Sequence, residues 1–562
     1  MTIHSGKQTK RKPMIDSFNN NMKKAIIFLC GILFFAACTK EQKYTSILQP
    51  FLSGAIKDST SADSLQYHLV RFDKNTGGII PWYSNNLGQS YDTCLLLVWN
   101  FWKNMETDGN GLKYYMNRQV WRTESDGRGM GGDQVSMALS SWALLYAYTG
   151  DSSMVANMRY MADEYLARSL SDSSAKLPNI PYPYNTDLLS GKYDGDMILG
   201  KGITQPDKAG SFGYELVNLY KITGDKKYLE AAQKIALTLA KNIRVGDNDL
   251  SPWPFKVNAQ TGEVGWLYTW PEHKKVKPSE YTTNYSGTLE LFTAMSRFDS
   301  PNKAIYQQAY ENCLNWMKEY PLKTNKWGPF FEDVTGWSDT QINAVTFARY
   351  ILQHRDNFPN WQSEVKGIIE WVRKILGNKE QIKYGVLTTN EQTWYPVPGN
   401  SHSSRQAALE LMYSKLTGDT GYNTNAVRQL NWATYMVKEN GWNRYIRDMI
   451  WMTDGYGDYV RHYLRAMAEF PELAPDNKNR NVSSTSVVKH IRYLPASIEY
   501  QTYDSLSVEV FRLTRKPLTI LVDDQPLKKS DNPGETGWYW QTMDHGGVLT
   551  ISKKGTKAIL NF

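Results

Sequence analysis

The 562 residues include 41% hydrophobic and 21% charged side chains and only four cysteines. That is enough apolar material for a large buried core, and it excludes a disordered chain, a collagen and a disulfide scaffold. The net charge of +8 overstates the basicity: Lys7, Lys10, Arg11, Lys12, Lys23 and Lys24 precede residue 38 against Asp16 alone, and without that excess of five the chain carries +3, too little for nucleic-acid binding.

From Met22 the chain reads MKKAIIFLCGILFFAACTKEQ. Two lysines precede an apolar run from Ala25 to Ala37, too short to span a bilayer and right for the core of a signal peptide. The run ends in Phe35-Ala36-Ala37-Cys38, which resembles a bacterial lipobox. That resemblance implies acylation of Cys38, with residues 1–38 as leader and signal peptide. Residues 1–21 read as an extension upstream of it. No later stretch is apolar enough to cross a membrane. The expectation is an exported monomer, held by its lipid at the periplasmic face or cell surface, in the outer membrane. Cys94 and Cys313 fall in apolar helical stretches and read as buried free thiols.

After a tether at 39–60, residues 61–475 are dominated by helical periodicity. Segments 144–165, 218–240 and 411–437 each place an apolar helix, then Thr-Gly-Asp, then a second helix. Glycine suits a left-handed C-cap and aspartate an N-cap, so each is a helical hairpin with a tight turn. Hairpins at about 280–320 and 338–376 lack the turn. With single helices at about 89–106 and 455–469, twelve helices result. If the first pairs with the last, six hairpins close into an (α/α)6 toroid. After a linker at 476–485, short alternating runs over 486–562 read as a small β-sandwich-like domain, its tail a hairpin turning near Lys553–Gly555.

In such a toroid the inner helices run parallel and their N-termini gather at one rim, which favours anions. Polar residues open the candidate inner helices: Asp92, Asp133 beside Gln134, Asp207 beside Lys208, Glu280 before Tyr281, Asp339 after Trp337, His402 before Arg405, and Asp454 before Asp458. Asp133 and Asp207 each lie 16 residues before the Thr of a Thr-Gly-Asp turn, so they hold equivalent places. Any one aspartate fits an N-cap; seven polar residues at one rim point to chemistry. Paired carboxylates suit glycosidic cleavage, one protonated to donate to the leaving oxygen and one ionised. Trp121, Trp253, Trp270, Trp327, Trp337 and Trp394 crowd the same loops, where rings stack on sugar faces. Arg128, Lys208, His273 and Arg405 are candidates to bind an acidic group.

The stretch Asp133-QVSMALSSWALLYAYTGD resembles the unsaturated glucuronyl hydrolases and their rhamnogalacturonyl relatives, members of the six-hairpin glycosidase superfamily. That resemblance implies that Asp133 is the general acid/base, and points to Asp92 as the second aspartate. Two departures stand out: the family's His-Asp pair is absent here, since Tyr91 precedes Asp92, and this chain carries a C-terminal β domain of a kind the family usually lacks. The resulting expectation is a glycoside hydrolase acting on uronate-containing oligosaccharides with Asp133, Asp92 and Asp207 in catalysis, and no cofactor or metal. The alternatives are a polysaccharide lyase using Tyr281, Tyr285, His273 or His402 as base, a non-catalytic glycan-binding lipoprotein, and a sugar epimerase. The epimerase group resembles a paired-histidine chemistry, and the sequence offers His402 no evident partner.

Overall fold

The structure, a computed structural model, describes residues 42–52, 54–117, 129–269, 272, 274–331, 336–444 and 457–562. Twelve helices make up the toroid: α1 (Leu87–Lys103), α2 (Asp133–Thr149), α3 (Ser153–Ser169), α4 (Pro206–Thr223), α5 (Lys226–Lys241), α6 (Ser286–Phe298), α7 (Lys303–Glu319), α8 (Gln341–Gln353), α9 (Trp361–Ile375), α10 (Asn400–Thr417), α11 (Asn423–Thr434) and α12 (Asp458–Glu469). The three Thr-Gly-Asp turns are built alike. Gly150, Gly224 and Gly418 take φ of 76°, 74° and 78° and end α2, α4 and α10 as left-handed caps. Each preceding Thr donates its hydroxyl four residues back, to Leu145, Leu219 or Tyr413, and accepts the amide of the following Asp.

The even-numbered helices form the inner ring, packed α2–α4–α6–α8–α10–α12 and back to α2. Burial separates the layers. In α10, 15 of 18 residues are buried, on every side, whereas α9 buries only Val365, Ile368, Ile369 and Val372, one stripe at helical spacing. The first helix, α1, lies in the outer layer against α3, α11 and α12, so it closes the ring as the outer partner of α12. Cys94 and Cys313 are buried free thiols.

The C-terminal strands are β2 (Arg480–Ser484), β3 (Val488–Tyr493), β4 (Ser497–Thr502), β5 (Leu506–Leu513), β6 (Thr519–Val522), β7 (Gln525–Pro526), β8 (Gly537–Thr542), β9 (Gly547–Lys554) and β10 (Lys557–Asn561), joined by β1 (Gln42–Lys43) from the other end of the chain. They form two five-stranded sheets, β1-β8-β9-β5-β2 and β3-β4-β10-β6-β7. The sheets face each other, with Tyr500 against Phe511 at 5.4 Å. Two boundaries move as a result. Part of the expected tether supplies an edge strand, and β2 occupies the expected linker. The turn at Lys553–Gly555 is a corner between sheets and not a hairpin: β9 pairs with β5 and β8, while β10 pairs with β4 and β6. Gly555, at φ 146°, makes the corner where a Cβ would lie 2.5 Å from Asp523.

The sandwich sits at the C-terminal ends of the inner helices. Tyr493 donates to the Ala147 carbonyl and Tyr146 to the Lys489 carbonyl, both near the end of α2. Along α2 that contact lies about 20 Å from Asp133.

Candidate functional site

The rim is set by how the inner helices begin. Gly131 and Gly132 precede α2; a Cβ on Gly131 would fall 1.8 Å from the Pro183 carbonyl oxygen, and Gly132 has φ of 53°. Only glycine allows that approach and turn. The Gly132 amide donates to the Tyr165 hydroxyl, which donates on to the Tyr182 carbonyl. The aromatic loop at 178–184 thus serves as the wall against which α2 starts. Asp133 stands in the first turn with no role as a side-chain cap, since the N-cap is Gly132. On the next inner helix, Pro206 at the first position starts α4 and brings Asp207 and Lys208 into its first turn.

Asp133 is 9% exposed and Asp207 is fully buried. Asn284 donates to one oxygen of Asp207 at 3.0 Å, and Lys208 pairs with the same oxygen at 3.4 Å. The Lys208 ammonium also donates to the Phe330 carbonyl at 2.8 Å and lies 3.0 Å from the centre of the Phe330 ring. One oxygen of Asp133 and one of Asp207 are buried without a hydrogen-bond partner among the described residues. Burial first, and then the fields of Asp207 and Asp458, outweigh Lys208 and push the Asp133 carboxyl up to about 6. A carboxyl in that range holds a proton at mildly acid pH and releases it near neutrality.

Beside it, Asp458 at the start of α12 is the hub of an ion network with Arg405, Arg461 and His462. Burial pushes its carboxyl up, but Arg405, Arg461 and His462 overcome this and hold it well below the usual range. Arg405 also donates to Gln341, at 2.7 Å, and Gln341 donates to the His402 carbonyl. Burial, aided by Arg405, lowers the His402 imidazole well below its ordinary value; burial does the same to His462 against the pull of Asp458. Both rings are therefore neutral at pH 7.

The structure brings together Asp133, Gln134, Asp207, Lys208, His402, Arg405 and Asp458 at this rim, and adds His462, Asn284, Gln341 and Phe330. His462 was missed, although it lies one helical turn beyond Asp458 on the same face. The placement of Asp92 is corrected. It belongs to an outer helix, and its carboxylate is clasped by Arg480 at 3.0 Å and Lys478 at 2.8 Å, while Arg480 also lies over the ring of Tyr148 at the far end of α2. Asp92 therefore binds the sandwich to the toroid at the end opposite Asp133.

Asp339 accepts from the amides of Trp327 and Gly328 and from the Trp337 indole, so it braces a loop. Tyr281 is buried and donates to the Lys326 carbonyl at 2.7 Å. Trp253 and Trp327 are core residues, while Trp394 is 57% exposed. Trp121, Arg128, Trp270, His273, Asp454 and Cys38 lie outside the described residues.

Among solved structures, the chain is similar to cellobiose 2-epimerase from Spirochaeta thermophila DSM 6192, at 12% identity and a TM-score of 0.51, over 68% of this chain and 97% of that one. It is similar to cellobiose 2-epimerase from Bacillus thermoamylovorans B4167 at 14% identity and a TM-score of 0.50, over 67% and 98%. An unsaturated glucuronyl hydrolase specific for heparin matches at 9% identity and a TM-score of 0.42, over 69% and 99%. No family model matches the sequence, and no relative is found among curated proteins. The fold is the six-hairpin toroid of these sugar enzymes.

Proposed function

We propose that the chain is a glycoside hydrolase whose reaction takes place at the N-terminal rim. The observation that carries this reading is the Asp133 carboxyl, buried, lifted to about 6 and bearing one unpartnered oxygen among the described residues, next to a second buried carboxylate on the adjoining helix. Asp133 protonates the leaving glycosidic oxygen. Asp207, oriented by Asn284 and Lys208, is the second carboxylate, acting on water or on the anomeric carbon. The resemblance of the Asp133 stretch to the unsaturated glucuronyl hydrolases supports a uronate-containing oligosaccharide as the substrate. The lyase alternative is weakened at its tyrosines: Tyr281 and Tyr285 both donate to backbone carbonyls, and burial first, then nearby carboxylates, push both phenols up. We further propose export as a lipoprotein anchored through Cys38, which acyl labelling lost in Cys38→Ala tests.

One observation favours a second reading. His402 and His462 are both neutral and flank Asp458, and so supply the paired bases that proton abstraction beside a sugar carbonyl requires. Incubation with neutral and uronate oligosaccharides in heavy water separates the readings. New reducing ends without deuterium at carbon support hydrolysis. Deuterium at the sugar C2 without new ends supports epimerisation, and a conjugated unsaturated uronate supports elimination.

A further inference from the structure

The loops around the rim carry a strip of aromatic and cationic side chains that acid–base chemistry at Asp133 does not use. Trp394 is 57% exposed and Trp266 38% exposed. Trp394 lies against Gly336, where a Cβ would sit 3.0 Å from its ring, and the neighbouring Trp337 packs on Tyr281 at 5.3 Å. A two-stranded hairpin, Trp266–Tyr268 with Lys275–Pro278, runs alongside. From it Lys275 reaches over the Trp266 ring at 5.1 Å and Lys277 over the Trp337 ring at 5.0 Å. Lys326 lies 5.1 Å from the centre of the same Trp337 ring.

Two features set this strip apart from ordinary surface. Large indole rings stay in water where the fold gains nothing from them. The lysines are also unbalanced. Lys326 is paired with Asp249, but neither Lys275 nor Lys277 has an ion-pair partner among the described residues, and over 266–278 three lysines face a single carboxylate, Glu272. Ammonium groups about 5 Å from the ring centres place positive charge beside the Trp266 and Trp337 rings. A pyranose ring stacks its C–H face on such a platform, and an acidic substituent then meets the ammonium.

We propose that Trp394, Trp337 and Trp266, with Lys275 and Lys277, form a surface site for an anionic polysaccharide chain, outside the rim. The inference rests on the glycan reading above and adds a second place where the chain is held. Trp337 packs on Tyr281, three residues before Asn284, the residue that donates to Asp207. The strip and the rim are therefore joined through residues 281–284, and a chain lying along the strip is led toward the carboxylates.

The test is affinity electrophoresis of the full mature chain through gels containing polygalacturonate, dextran sulfate or neutral mannan. The expected result is retardation by the two anionic polymers and free migration in mannan; a stronger effect of polygalacturonate than of dextran sulfate, or the reverse, assigns the acidic group as carboxylate or sulfate. Replacing Lys275 and Lys277 together with Ala is expected to weaken retention by about fivefold per lysine and to blunt its sensitivity to salt. Trp394→Ala is expected to weaken retention by both anionic polymers, with the circular dichroism of the folded protein unchanged. Equal retardation by mannan overturns the inference, as does a double lysine variant that migrates like the parent. Cleavage of a short uronate oligosaccharide by a protein that no anionic polymer retards removes the strip and leaves the hydrolase. Retention without cleavage of any glycosidic bond leaves the strip and removes the hydrolase.

Discussion

Asp133 and Asp92 are the same residue type, both nearly sealed from water, and they differ in everything around them. Asp92 is 1% exposed and meets two cations, Arg480 and Lys478. Burial pushes its carboxyl up, but the two cations overcome that and hold it below the usual range. Asp133 shares Lys208 with Asp207 and faces the added negative fields of Asp207 and Asp458. One end of the toroid thus uses a buried carboxylate as a fastener for the sandwich; the other leaves one with an unsettled charge. A buried carboxylate with a surplus of cations is structural, and one with a deficit is able to exchange a proton within the working pH range.

The largest expected effect breaks the second half of that contrast. Asp133→Asn lowers turnover by about a thousandfold and leaves the helical signal in place; if the variant unfolds, Asp133 holds the helix and the site lies elsewhere. Next, Asp92→Asn costs about 3 kcal/mol in unfolding experiments because Arg480 loses its buried partner, while turnover below the melting transition holds. Loss of turnover without loss of stability there would move Asp92 back to the chemistry. A pH profile sharpens the comparison. If Asp133 must be protonated, turnover falls about tenfold per pH unit above about 6, and flat turnover from pH 5 to 8 argues against an acid role. The smallest effect is at the interface itself. Tyr493→Phe removes the bond to the Ala147 carbonyl and the one accepted from the Asn481 amide, costing about 1 kcal/mol by chemical denaturation.

The helical ring was legible because its signals are local. Glycine in the Thr-Gly-Asp turn ends a helix by its own backbone freedom, and the hydroxyl of the Thr caps it within four residues. Asp133 and Asp207 were legible through their equal spacing from that turn, and both stand in the first turn of inner helices. The layer of α1 was not legible. Gln-Ser-Tyr-Asp before an apolar run reads like the start of an inner helix, and only ring closure against α12 turns it outward. His462 was hidden for a different reason: it lies one helical turn beyond Asp458, and only the network with Arg405 and Arg461 shows that its ring faces the rim. In the sandwich, alternation over 486–562 marked strands such as β3, β5 and β6 but carries no information about which strand pairs with which, so the crossing at Lys553–Gly555 read as a hairpin.

The most direct test of the contrast is the melting temperature of the parent, Asp133→Asn and Asp92→Asn measured from acid to alkaline pH. The Asp133 carboxyl is raised on folding, so its stabilising contribution is full below the unfolded value near 4 and is lost as pH climbs through about 6. The Asp92 carboxyl is lowered, so its contribution is full above the unfolded value and is lost as pH falls through the folded one. The account predicts opposite signs at pH 8: Asp133→Asn melts above the parent, with about 3 kcal/mol of added stability, and Asp92→Asn melts below it. An Asp133→Asn protein that is less stable than the parent at every pH, or an Asp92→Asn protein that matches the parent at pH 8, contradicts it.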